Sequence, residues 1–140
     1  MGSALVDEAL LEAWGESFAR ALRRPAVVAL SGELGTGKTT LVRAIARGLG
    51  VTDQVTSPTF ALVHRYQGAE GGAGVWHVDA YRLKKDDAAR DLGLDEMLKD
   101  PAGVVLVEWP ERLGAAAPAP TNRIHLTYAD EDGLRHLEWS

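Results

Sequence analysis

The sequence predicts an α/β fold: a mainly parallel central sheet between helical layers, with antiparallel hairpins added to it. Three observations predict it. Two short runs, Ala26–Leu30 and Val104–Val107, are apolar without alternation, the pattern of strands buried on both faces of a parallel sheet. After the first run, Leu41, Val42, Ala44, Ile45 and Leu49 recur at helical spacing, so a strand leads through a loop into a helix. Two further pairs of strand-like segments flank reversals rich in Gly or Asp and read as antiparallel hairpins. A chain of 140 residues, 46% of them apolar, is expected to form one domain, residues 1–140, with a substantial core.

Taken in order, residues 4–24 read as an amphipathic helix with Leu10, Trp14, Phe18 and Leu22 as its core stripe. Asp7 and Glu8 sit early and Arg20, Arg23 and Arg24 late, which suits the helix dipole, and Pro25 ends the pattern. The strand 26–30 follows, then a glycine-rich loop, then the helix that stops at Gly50. Residues 51–58 are turn-rich, and 59–66 read as a strand. Residues 68–74 carry four glycines and read as a reversal into the returning strand Val75–Asp79. Residues 84–100 are charged and helical in pattern, interrupted at Gly93. The second buried strand ends at Glu108, and residues 114–120 read as a linker-like loop. Arg123–Tyr128 and Leu134–Trp139 form a final hairpin around residues 130–133, too small to stand alone.

The loop between the first buried strand and its helix is Gly32-Glu33-Leu34-Gly35-Thr36-Gly37-Lys38-Thr39, the G-x-x-x-x-G-K-[ST] pattern of a phosphate-binding P-loop. The chemistry requires these residue types. Glycines let the chain turn tightly, so that the backbone N–H groups of Glu33, Leu34, Gly35, Thr36 and Gly37 converge on an anion. The helix that follows aims its unpaired N–H groups and positive dipole end at the same point. Lys38 then reaches the β- and γ-phosphates, the Thr39 hydroxyl binds a Mg²⁺ that bridges them, and Thr40 touches the next phosphate inward. Strand, loop and helix occur in the order the motif needs, so the fold is expected to be P-loop NTPase-like.

Such a fold needs an acidic residue on a neighbouring strand. Val104-Val-Leu-Val-Glu108 ends in a carboxylate at the strand edge where α/β sheets bind ligands, and Glu108 is therefore a candidate for the magnesium shell or for orienting water. Asp79 ends Val75-Trp-His-Val and has two roles open to it, metal ligand or water-positioning base, besides that of an ordinary strand-end Asp. Between helix and strand, Val55-Thr-Ser-Pro-Thr-Phe60 resembles segments that sense a γ-phosphate. Thr59 is the candidate there, with Thr56 and Ser57 behind it, and by spacing alone an ordinary hydroxyl-rich loop remains the better reading. His64, His125 and His136 have no ligand partner at metal spacing. His77 shares a face with Asp79 and is assigned a structural role, and Trp109 is a candidate wall of the site.

Bulk properties narrow the function. Cysteine is absent, which excludes disulfides, Cys-ligated zinc and Cys nucleophiles and fits a reducing cytoplasm. No apolar run is long enough to span a membrane, and the N-terminus lacks a secretory pattern. The net charge of −5 makes the chain a poor independent binder of nucleic acid, so any service to RNA is expected to run through a partner.

The series Gly32–Thr40, Thr56-Ser-Pro-Thr-Phe60, His77-Val-Asp-Ala-Tyr-Arg-Leu83, Leu92-Gly-Leu94 and Val107-Glu-Trp-Pro-Glu-Arg-Leu113 resembles the bacterial TsaE (YjeE) family of tRNA threonylcarbamoyladenosine biosynthesis ATPases, in order and spacing. The resemblance implies a cytoplasmic, Mg²⁺-dependent ATPase that acts with TsaD and TsaB, which modify adenosine 37 of tRNAs reading ANN codons. It implies contact with tRNA only through that complex. By position it makes Lys38 and Thr39 the phosphate and magnesium residues, Asp79 and Glu108 the acids of the metal and water site, and Thr59 part of a switch-like segment. Ala80 stands where the family usually has a larger apolar residue, and His64-Arg65 replaces an often acidic stretch. The expected reaction is in-line attack of water on the γ-phosphate of ATP. Arg82 and Arg112 are candidates for an arginine finger in cis, but either reads equally as a surface ion pair, so hydrolysis is expected to be slow alone. A small-molecule kinase and an ATP-gated binding module are the rival readings.

Overall fold

A computed structural model describes residues 1–33, 35–52, 63–67, 74–83 and 93–140. Among the described residues there are seven strands, β1 (Gly2–Val6), β2 (Ala26–Gly32), β3 (Val63–Tyr66), β4 (Val75–Asp79), β5 (Val104–Glu108), β6 (Asn122–Tyr128) and β7 (Arg135–Trp139). The described helices are α1 (Glu8–Ala21), α2 (Lys38–Gly48) and the short α3 (Leu94–Leu98). All seven strands join one sheet in the order β1-β7-β6-β2-β5-β4-β3. The four central strands, β6, β2, β5 and β4, are parallel. β3 adds antiparallel at one end, and β7 and then β1 add antiparallel at the other. This is the α/β architecture expected, with hairpins extending a parallel centre.

The unbroken apolar runs of β2 and β5 are explained by cover on both faces. Val28, Leu30, Val104 and Leu106 point to the face that packs with Leu11 and Ala19 of α1 and Leu41, Val42 and Ile45 of α2. Val27, Val105 and Val107, one residue out of phase, point to the other face and pack with Leu83, Leu94, Met97 and Leu113. Each strand position thus removes apolar area from water, at about 25 cal/mol per Å², and an alternating sequence could not do so on both sides.

The N-terminus departs from expectation. Residues 2–6 form β1, an edge strand in register with β7 (Ala4↔Leu137), and the helix starts only at Glu8. Asp7 ends the strand and caps the helix, its carboxylate accepting from Leu10 N–H at 2.8 Å. Ala4, Leu5 and Val6 carry no periodicity long enough to distinguish helix from strand, and the open edge of β7 decides the matter. The buried line of α1 is Leu11, Gly15 and Ala19, one residue on from the stripe expected. Leu10 is 56% exposed, whereas Trp14, Phe18 and Leu22 pack at the core margin. Trp14 stacks on Phe18 at 5.0 Å and meets Trp139 of β7 at 5.2 Å. Residues 110–116, expected to run into open loop from 114, instead form 3₁₀ turns kinked at Gly114, and Leu113 is buried. Residues 53–58 of the predicted turn-rich segment, the start of the strand at 59–62, the glycine reversal at 68–73 and the charged stretch 84–92 lie outside the described residues.

Candidate functional site

The loop after β2 has the shape that its glycines allow. Gly32 has φ 140°, and a Cβ there would stand 2.4 Å from the Leu126 carbonyl oxygen; Gly37 has φ 109° and abuts Leu11. Neither position can carry a side chain without moving backbone or core. Thr36 is fully buried and donates its hydroxyl to the Glu33 carbonyl at 2.7 Å, which holds the loop closed, so its own hydroxyl faces inward. Glu33 is exposed, and Leu34 lies outside the described residues. α2 begins at Lys38 with Gly37 as its cap, and no side chain satisfies its first N–H groups, which leaves them for an anion. Lys38 is 5% exposed. Its Nζ donates to the Gly32 carbonyl and lies 3.7 Å from the centre of the Trp109 ring. Burial pulls its ammonium below the ordinary lysine range, against the charges of Glu108, Glu111 and Asp79.

The sheet brings the two acids to this loop. Asp79 and Glu108 end adjacent parallel strands directly in register, and Glu108 is paired with Leu30 of β2, two residues before the loop. The Glu108 carboxylate is almost fully buried, its Oε2 2.5 Å from His77 Nε2. His77 Nδ1 is 3.1 Å from the Tyr66 hydroxyl. With neutral imidazole, Tyr66 donates to Nδ1 and Nε2–H donates to Glu108, so a buried relay across three strands sets the carboxylate's orientation. His77 is therefore more than a face-mate of Asp79. The sequence hint was the i, i+2 spacing to Asp79; the diagonal to Glu108, 31 residues away, depends on the β4–β5 register. His77→Leu should destabilise the protein by about 1–3 kcal/mol, because a buried carboxylate loses its donor. Chemical denaturation checks this, and a fully stable His77→Leu protein would sink the relay.

Asp79 caps the turn that follows, its carboxylate accepting from Tyr81 N–H at 3.1 Å. Burial pushes its carboxyl above the ordinary range, and Glu108 adds to the rise, against the Tyr81 N–H, His77 and Lys38. The sign follows: the folded chain holds this proton more tightly than the unfolded chain, so the contribution favours folding at low pH and is lost as pH rises through the folded value. Asp79→Asn should thus leave the ligand-free protein at pH 8 as stable as the parent or more so, by thermal unfolding. A clear loss of stability at that pH would contradict the burial account.

Beside the loop lies a cleft of about 350 Å³. Gly35, Gly37, Lys38, Thr39, Thr40, Asp79 and Glu108, all named from sequence, line it. Tyr81, Trp109, Glu8 and Arg135 complete it. Trp109 is the sole non-glycine residue with positive φ among the described residues, at 57°, and this turn at the end of β5 lays its ring along the cleft, 5.0 Å from Tyr81. Glu8 and Arg135 escaped the sequence reading because α1 and β7 reach the loop only through the tertiary fold. Arg112 donates to the Tyr81 carbonyl at 3.2 Å and stacks over Tyr81, so it supports the wall. The Arg82 side chain and Thr59 lie outside the described residues. Among the described residues no group of three or more His, Asp or Glu is arranged to hold a metal. The donor set here, one hydroxyl and two carboxylates beside a phosphate loop, fits Mg²⁺, which keeps waters and takes one or two protein carboxylates together with phosphate oxygens.

The family model described as threonylcarbamoyl adenosine biosynthesis protein TsaE matches residues 5–137. Similar curated proteins carry the name tRNA threonylcarbamoyladenosine biosynthesis protein TsaE. That of Streptomyces coelicolor is 48% identical over 98 residues, 69% of this chain and 65% of its own length. That of Synechocystis is 37% identical over 117 residues, 78% of this chain and 69% of its own. That of Treponema pallidum is 38% identical over 124 residues, 89% of this chain and 88% of its own. The crystal structure of Bacillus subtilis YdiB superposes with a TM-score of 0.77 at 28% identity, covering 97% of this chain and 83% of that one.

Proposed function

Because this chain belongs to the TsaE family, which serves the biosynthesis of threonylcarbamoyladenosine in tRNA, we propose that it is a Mg²⁺-dependent ATPase acting with TsaD and TsaB, residues 1–140 forming one catalytic domain. The observation that carries this reading is the convergence of Asp79 and Glu108, on adjacent strand ends, with the buried Lys38 of the loop. Two carboxylates, one of them buried, and a buried lysine beside uncapped helix N–H groups suit a triphosphate and its metal.

In this reading the loop N–H groups and Lys38 bind the β- and γ-phosphates, and Lys38 leaves the Gly32 carbonyl to do so. Thr39, Asp79 and Glu108 would hold Mg²⁺, which would supply charge neutralisation on the phosphate oxygens. Glu108, fixed by His77, or Asp79 orients the attacking water and takes its proton. Trp109 and Tyr81 shield that side of the cleft from bulk water, which strengthens each charge interaction inside. Positioning and electrostatics carry the reaction, since phosphoryl transfer asks little covalent chemistry of the protein. Arg112 is committed to Tyr81, so a partner is the natural source of further charge stabilisation, and hydrolysis by the isolated chain is slow. The acidic chain meets tRNA through the TsaD–TsaB complex, in the cytoplasm. No helix among the described residues is long and apolar enough to cross a membrane. ATP hydrolysis measured with and without TsaD, TsaB and tRNA tests the proposal: stimulation is expected, and equal rates would count against the partnership.

A further inference from the structure

We propose that Tyr66 is a positioning residue for ATP hydrolysis: its hydroxyl fixes the His77 imidazole in the tautomer that donates to Glu108, and so aims that carboxylate at the attacking water; this rests on the nucleotide reading above. Tyr66 is not one of the described residues that line the cleft. It reaches the site through two contacts. Its hydroxyl is 3.1 Å from His77 Nδ1, and His77 Nε2 is 2.5 Å from Glu108 Oε2. Sheet register builds that line. Tyr66 of β3 lies opposite Val75, His77 of β4 lies opposite Leu106, and Asp79 lies opposite Glu108. Each contact therefore crosses one strand and climbs two residues, and the line ends at the strand edge beside the phosphate loop. Tyr66 is 4% exposed and His77 0%, so bulk water cannot stand in for either partner.

A neutral imidazole has one nitrogen that donates and one that accepts, and the partners of the ring select which is which. The phenol hydroxyl gives Nδ1 a donor, and the carboxylate gives Nε2–H an acceptor, so both nitrogens are satisfied in a single arrangement. Without the hydroxyl, Nδ1 is a buried acceptor that has lost its donor. The ring relieves that cost by rotating or by carrying its proton on Nδ1, and either change takes the Nε2–H away from Glu108. The carboxylate then samples orientations that do not face the water. The β3–β4 hairpin thus does more than extend the sheet: its outer strand holds the far end of the line that aims the acid.

Single-turnover ATP hydrolysis, titration of Mg²⁺-free ATP and ¹⁵N NMR of the histidine rings test this on the parent, Tyr66→Phe, His77→Leu and the double variant. The His77 signals of the parent should show the Nε2–H tautomer with a hydrogen-bonded Nδ1, and Tyr66→Phe should shift the Nδ1 signal. Hydrolysis by Tyr66→Phe should fall by about 10-fold, the low end of the range seen when a hydrogen-bond partner behind a reacting group is removed. Phenylalanine keeps the ring, so affinity for Mg²⁺-free ATP should stay within about twofold of the parent. On the His77→Leu background the same substitution should change hydrolysis by less than about twofold, because the path through the imidazole is already cut. Should His77→Leu fail to fold, the tautomer and the Tyr66→Phe rate decide by themselves. A Tyr66→Phe rate within about twofold of the parent would overturn the inference, as would a parent His77 in the Nδ1–H form. So would a matching loss of Mg²⁺-free ATP affinity, or a rate loss that persists in full on the His77→Leu background, each the mark of a purely structural tyrosine. If the parent neither binds nor hydrolyses ATP, the nucleotide reading fails and the role of Tyr66 with it; if the parent does both, only the role of Tyr66 is at stake.

Discussion

Lys38→Met is expected to fold normally and to lose ATP hydrolysis by about a thousandfold or more, with ATP affinity weakened by at least about a hundredfold. The lysine is the one cation on the γ-phosphate side of the loop that the strand–loop–helix unit itself supplies, and it sits nearly out of water, where its charge acts through a low dielectric. Ligand-free, that burial is unfavourable to the ammonium and is offset by the Gly32 carbonyl, the Trp109 face and the carboxylates of Glu108, Glu111 and Asp79. Methionine keeps the length and apolar stem of the side chain and removes the charge, so stability should survive while phosphate binding does not. Fluorescence or calorimetric titration with ATP, read beside a thermal melt, separates the two. A Lys38→Met protein that bound ATP as the parent does would end the phosphate-loop reading.

Glu108→Gln separates chemistry from binding. Glutamine still accepts the His77 Nε2–H and fills the same space, so the fold and the relay should persist. It cannot take a proton from water or offer a full charge to a metal. Hydrolysis should fall by about 10²- to 10⁴-fold, the usual range for a general base, while ATP affinity in the absence of Mg²⁺ stays near that of the parent. Single-turnover hydrolysis of ATP together with titration of ATP and of ATP–Mg²⁺ makes the comparison. If Glu108→Gln hydrolysed at the parental rate, the water-orienting role would pass to Asp79 alone. If it were inactive yet still supported tRNA modification with TsaD and TsaB, occupancy rather than turnover would be the working signal, as in an ATP-gated binding module.

Much of the fold could be read along the chain because its signals are local. The apolar runs of β2 and β5, the helical period of α2, the glycines of the loop and both hairpins each lie within a few residues, and periodicity and turn chemistry need no more. β1 was misread as helix because three apolar residues before Asp7 satisfy either period, and the free edge of β7 settled it. The α1 stripe slipped by one residue for a related reason: Gly15 and Ala19, small residues that let α2 approach, are the buried ones, and a hydrophobicity pattern favours the larger neighbours.

For the site, residue types and spacing by themselves pointed to Lys38 and Thr40 as candidate phosphate contacts, Thr39 as a candidate magnesium ligand and Glu108 as an acid at a strand's end, because backbone geometry around a P-loop is set within eight consecutive residues. What only the tertiary structure decided is who faces them. Asp79 reaches Glu108 through parallel register, His77 is bound to Glu108 across a diagonal, Trp109 is turned over Lys38, and Arg135 is brought against Gly37 from the far end of the chain. These contacts are set by strand order and register. A chain's local preferences select its elements, whereas the long-range burial of their apolar faces selects which side chains meet.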